Sequence, residues 1–145
     1  MNFPDIVHPN LGLLRYNNEY DWYEGQVTFR QLQIPICLAT DDEGKIESVL
    51  SRVNNFVIQL DQYGEKAKDY AVNRLLELKN SAWLDENEKP LTPEQFKTLM
   101  ILESIVISSE GNVEFYHNDG GLFFGHCILV TMDSSNDFID AHIAG

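Results

Sequence analysis

Apolar and polar residues change their spacing twice along this chain. Up to residue 39 the apolar positions form short aromatic or β-branched runs: "LGLLRYN", "WYEGQVTF" and "QIPICLA", the last with Ile34, Ile36 and Leu38 alternating with other residues. A period of two puts one set of side chains on a single face of a strand, so three strands are expected here. The polar "NNEYD" between the first two reads as a turn. Pro35 has no N–H to give to a ladder, which points to an edge strand or a bulge.

From Asp41 the spacing becomes three and four. Ile46, Val49, Leu50, Val53, Val57 and Leu60 make one helical stripe, with Asp41 or Asp42 as its N-cap. Gly64 marks a break or kink. A second stripe of Ala67, Tyr70, Ala71, Leu75, Leu78 and Ala82 predicts a helix ending near Trp83, and "LDENEKPL" reads as a loop. Thr92, Pro93 and Gln95 spell a capping box with proline at the first helical position, the start of a short third helix. The period of two then returns. "LESIVIS" sets Ile105 and Ile107 on one face. "VEFYH" sets Val113, Phe115 and His117 on one face, with Glu114 and Tyr116 on the other. "GHCILVTM" is apolar on both faces, as in a central strand, and "FIDAHIAG" can add an edge strand. The expected architecture is a single α+β domain over residues 1–145. One antiparallel sheet, βββ before three helices and βββ after them, carries the helices on one face.

The 145 residues, 43% hydrophobic, suit one buried core. Charge adds more. Twenty-three acids face ten basic residues, a formal net charge of −13, and the imbalance is uneven: the last basic residue is Lys97, and seven acids follow it. Such a chain offers no cationic footprint for nucleic acid and is repelled by an anionic membrane surface. Solubility and a basic protein partner are the two readings left. No apolar run is long enough to cross a bilayer. The opening "MNFPDIVHPN" lacks the basic and apolar regions of a signal peptide. Cys37 and Cys127 both fall in apolar runs, as reduced, buried thiols do. A cytoplasmic location is expected.

"HPNLGLLRYN" followed by "WYEGQV", then "LLELKNSAW", "LTPEQF", "LESIVIS", "DGGLFFGHCILV" and the closing "DAHIAG" resemble a bacterial family known only as domain of unknown function 2262. The resemblance covers nearly the whole chain. It implies one intact domain and small cytoplasmic bacterial relatives, some of them similar to the immunity-type proteins found beside secreted toxins. It supplies no catalytic residues.

The densest polar stretch is "YHNDGGLFFGH", Tyr116 to His126. Asn118, Asp119, Gly120 and Gly121 are hairpin chemistry, because Asn, Asp and Gly tolerate positive φ. Phe123 and Phe124 would bury their rings at the sheet end, and a hairpin closed at 118–123 would pair His126 near Phe115. The alternative is a metal-binding or hydrolytic enzyme in which His117, Asp119, His126 and His142 converge. Their spacing matches no compact metal motif. Cys37 and Cys127 in apolar strands are poor nucleophiles, Ser104, Ser108 and Ser109 lack a nucleophile elbow, and no glycine loop cradles a phosphate. The sequence therefore leans away from catalysis, with no cofactor expected. The preferred reading is a binding module, such as a toxin-neutralising immunity protein. Its partner would be a basic protein, met by Glu103, Glu114, Asp119, Asp133, Asp137 and Asp140 and by an aromatic anchor at Trp22 or Tyr23.

Overall fold

The computed structural model describes residues 3–145; Met1 and Asn2, counted above in the single domain and in the opening segment, lie outside the described residues. Four strands precede three helices and four strands follow them: β1 (Ile6–His8), β2 (Gly12–Asn17), β3 (Trp22–Phe29), β4 (Leu32–Ala39), α1 (Glu47–Ile58), α2 (Leu60–Ala82), α3 (Pro93–Leu99), β5 (Ile101–Ile107), β6 (Val113–Asn118), β7 (Cys127–Met132) and β8 (Phe138–Ala144). All eight strands join one sheet in sequence order. The expected three-strand opening gains β1, a segment too short to show a period.

The sheet is mixed, not antiparallel. Every neighbouring pair is antiparallel except β4 and β5, which run parallel with Ile36 opposite Ile105, Cys37 opposite Val106 and Leu38 opposite Ile107. The reason is the connection. β4 hands the chain to three helices that cross back over the sheet, and a strand entering after such a crossover lies parallel to the one before it. This pairing also corrects the edge assignment for Pro35. β4 is central, between β3 and β5. Pro35 pairs with Gln26 on one side, while the paired stretch with β5 begins only at Ile36. The missing N–H is tolerated because the proline precedes the parallel seam.

The inner face holds Ile36, Leu38, Ile105, Phe115, Ile128 and Val130, all fully buried against the helices in one core. Phe56 of α1 meets Phe115 edge-on at 5.8 Å, and Tyr70 of α2 stacks on Phe138 at 5.8 Å. Two bulges keep the alternation in phase. Between Leu102 and Ser104 the register slips by one, leaving Glu103 as the extra residue and letting both Leu102 and Ile105 face inward. Ile139 is skipped likewise in β8.

The helices differ from expectation in two places. Asp41 does not cap α1: its Oδ1 accepts the N–H groups of Glu43 and Lys45 and closes the preceding loop. The N-cap of α1 is Ile46, without a side-chain cap, and Glu47 Oε2 accepts the Ile46 N–H. Gly64 is neither a break nor a kink. It lies inside α2, buried against the ring of Phe29, and the helices part at Gln59 instead. α2 ends at Trp83, and the Thr92–Gln95 capping box of α3 forms in full.

Candidate functional site

The stretch 116–126 is a longer loop than a tight hairpin. Asn118 pairs with Cys127 and His117 with Ile128, so residues 119–126 all lie between β6 and β7. His126 stands before the strand, and Phe115 pairs with Val130, not His126. The loop is organised from within. Asp119 is buried, and its carboxylate accepts backbone N–H groups from Gly121 at 2.9 Å, Phe123 at 2.8 Å and Gly125 at 3.0 Å. A buried carboxylate needs such donors. Gly120 and Gly121 take positive φ, and so does Phe124, at 58°. Phe123 is buried as expected, but Phe124 is 60% exposed.

Behind the loop lies an ion pair that sequence reading missed. Lys79 is fully buried, donating from Nζ to the Trp83 carbonyl at 2.7 Å and to Glu88 Oε1 at 2.8 Å. It closes the C-terminus of α2, where a cation meets the unpaired carbonyls favourably. The ammonium holds the Glu88 carboxyl below its ordinary range, aided by the Asp85 N–H. One signal was present: Lys79 continues the Ala71–Leu75 line of the apolar stripe. Trp83 packs edge-on against Phe123 and His126, and Phe124 leans over Lys79.

The four histidines occupy four separate settings. His117 faces the core at 1% exposure, and neither ring nitrogen has a hydrogen-bond partner. Burial pushes its pKa down to about 4, the Lys68 charge adds to this, and the Ile128 and Phe115 backbone opposes it. His126 Nδ1 lies 2.7 Å from the Phe123 carbonyl. His142 Nδ1 lies 2.6 Å from Asp140 Oδ2 on the opposite face of the sheet. His8 Nδ1 accepts the Asn10 and Leu11 N–H groups. Among the described residues no three His, Cys, Asp or Glu side chains converge as metal ligands. His117, Asp119, His126 and His142 are therefore not brought together.

The partner-binding candidates sort by position. Tyr23 is buried in the core face and donates its hydroxyl to the Pro4 carbonyl at 3.0 Å, and Asp119 is enclosed by its own loop, so neither is open to a partner. Asp133 Oδ1 closes the β7–β8 turn by accepting from Ser135 and Asp137, and Arg52 of α1 donates to the Asp133 carbonyl at 3.2 Å. A helix cation thus offsets the acids at that end. The remaining four share the face that the helices leave free. One row across it runs Glu24, Cys37, Val106, Glu114, Thr131 and Asp140. The next runs Ser104, Tyr116, Leu129 and His142. Trp22 sits at the β3 end of this face, and Glu103 projects at the β5 bulge, close enough to push the Cys127 thiol up. Burial and the Glu114 charge push Tyr116 up in the same way. Strands β3 to β8 contain no Lys or Arg. Among the described residues no helix is long and apolar enough to cross a membrane.

Residues 8–143 match the model of a family described as "Uncharacterized protein conserved in bacteria (DUF2262)". No curated protein and no solved structure matches the chain.

Proposed function

Because this chain belongs to the DUF2262 family of bacterial proteins, whose description names no activity, we propose its function from the surface it presents: a non-catalytic binding module, working in the cytoplasm, that holds a basic protein on its helix-free sheet face. An immunity protein that occludes a toxin is the biological form this takes. One observation carries the reading. Val106 and Tyr116, both half-buried, with Leu129 buried beside them, form an apolar strip on a face without helices, and Glu24, Glu103, Glu114 and Asp140 stand around it with no cation from strands β3 to β8. Eight of the ten basic residues lie between Lys45 and Lys97, in the helices and their loops.

The geometry makes these charges act together. Glu114 and Asp140 stand two strands apart in one row, about 10 Å at the usual strand spacing. That is close to the Debye length of about 8 Å at physiological salt, so their potentials overlap. A shared negative field speeds encounter with a cationic surface, and the apolar strip slows departure once water is excluded.

The test is association with an oligolysine peptide at low and high salt. Binding at low salt that weakens steeply as salt rises supports the reading. The combined substitution Glu103→Gln, Glu114→Gln and Asp140→Asn should slow association about tenfold at low salt. Association indifferent to salt and to these three changes would overturn it.

A further inference from the structure

At the β3 end of the same face, two aromatic rings and a carboxylate are held in a fixed arrangement. Tyr20, 58% exposed in the β2–β3 turn, stacks on Trp22 with ring centroids 5.2 Å apart and planes 25° apart. Glu24 Oε1 accepts from the Trp22 indole N–H at 3.0 Å and from Asn17 Nδ2 at 2.9 Å. Asn17 Oδ1 in turn accepts the Glu19 N–H at 2.9 Å and the Tyr20 N–H at 3.3 Å. One asparagine therefore ties the turn that carries Tyr20 to the carboxylate that orients Trp22.

We propose that Tyr20, Trp22 and Glu24 form a clamp for an arginine side chain of a basic protein partner. The inference rests on the reading that this face receives a cationic protein, and it names the group that the aromatic end would grip. Both donors to Glu24 Oε1 are neutral, so they orient the carboxylate without cancelling its charge. Its second oxygen has no protein hydrogen bond among the described residues. Glu19 and Asp21 add negative charge from the turn. Arg15 lies directly across the strand pair from Glu24 but reaches toward Asp5, 3.9 Å away, with its side chain 73% exposed. A guanidinium is planar: it lies flat on an aromatic ring while its edge donates to a carboxylate. A lysine ammonium offers only a point charge and no plane to stack. The turn is ordered before any ligand arrives, so little entropy is lost at the aromatic end on binding.

The experiment compares oligoarginine and oligolysine peptides of equal length, titrated into the intact protein. The signal is the Trp22 indole N–H resonance, told apart from that of Trp83 by the Trp83→Phe variant. The arginine peptide should bind about tenfold more tightly and shift the Trp22 resonance. Tyr20→Ala, in an exposed turn, should remove this preference while leaving lysine-peptide binding unchanged. Equal affinity for the two peptides, or a preference that survives Tyr20→Ala, overturns the clamp and leaves the acidic face standing. Absence of binding by either peptide at low salt overturns both.

Discussion

The ring of Phe29, at the end of β3, occupies the space that a side chain at Gly64 would need: a Cβ there would fall inside van der Waals contact, 2.8 Å from Cζ. Both residues are buried, and the contact sets how closely α2 lies on the sheet. Gly64→Ala should gain about 1 kcal/mol of helix propensity and lose more through overpacking, which costs about 1–3 kcal/mol. The expected net loss appears as a lower urea midpoint, partly restored by adding Phe29→Leu. A Gly64→Ala protein more stable than the parent would mean that the ring has room to move.

Asp119 holds the 119–126 loop by accepting three backbone N–H groups. Asp119→Asn keeps the shape but turns an NH2 group toward donors. The expected loss is about 2 kcal/mol, from unsatisfied buried N–H groups. The change should also loosen the packing of Phe123 against Trp83, which near-UV circular dichroism would register. An unchanged spectrum and midpoint would show that the backbone holds the loop without this carboxylate.

His117 makes stability depend on pH. Its folded pKa is about 4 against an unfolded value near 6.5. Between those values the unfolded chain takes up a proton that the folded chain does not, so stability falls as pH drops through this window. At pH 5 the loss relative to pH 8 should be about 2 kcal/mol. Glu65 and Glu88, held below their ordinary range, lose their contributions only at still lower pH. His117→Leu should flatten the dependence between pH 8 and 5, measured by urea denaturation. The same slope in parent and variant would assign it to other groups.

Cys37 and Cys127 lie on the helix-free face rather than in the core. Cys37 is buried among its neighbours on that face, and Cys127 is half-exposed. Burial, with the Glu24 charge, pushes the Cys37 thiol up to about 11, and burial, Glu103 and Asp119 raise Cys127. Both should stay protonated at neutral pH and react with a thiol reagent more slowly than free cysteine, with Cys127 the faster of the two. Rapid labelling of Cys37 in the folded protein would show that its cover opens.

Periodicity predicted the elements better than their partners. Ile105–Ile107 and Val113–His117 could be assigned to faces because alternation is a local signal, and Thr92–Gln95 could be assigned because a capping box is complete within four residues. The parallel pairing of β4 with β5 was not legible, since it depends on where three helices deliver the chain. Gly64 looked like a helix breaker because the sequence does not display Phe29 beside it. The same limit governed the surface. Adjacent strand residues such as Trp22 and Tyr23 take opposite faces, but only the fold shows that Tyr23 is the one facing the core. Lys79 lies on the line of Ala71 and Leu75 and is fully buried, but the type of residue hides this, since lysines are mostly exposed.

The parallel seam also dictates how the chain assembles. β1 to β4 and β5 to β8 are two meanders whose strands meet their sequence neighbours across short connections, at small loop-closure entropy. Opposing Ile36 to Ile105 instead closes a loop containing all three helices. That closure carries the largest loop-closure entropy of any strand pairing in the sheet, the kind of non-local contact that slows folding. α2 bridges the gap, touching Phe29 of the first meander through Gly64 and Phe138 of the second through Tyr70. The helix layer is thus the jig against which the two half-sheets meet in register.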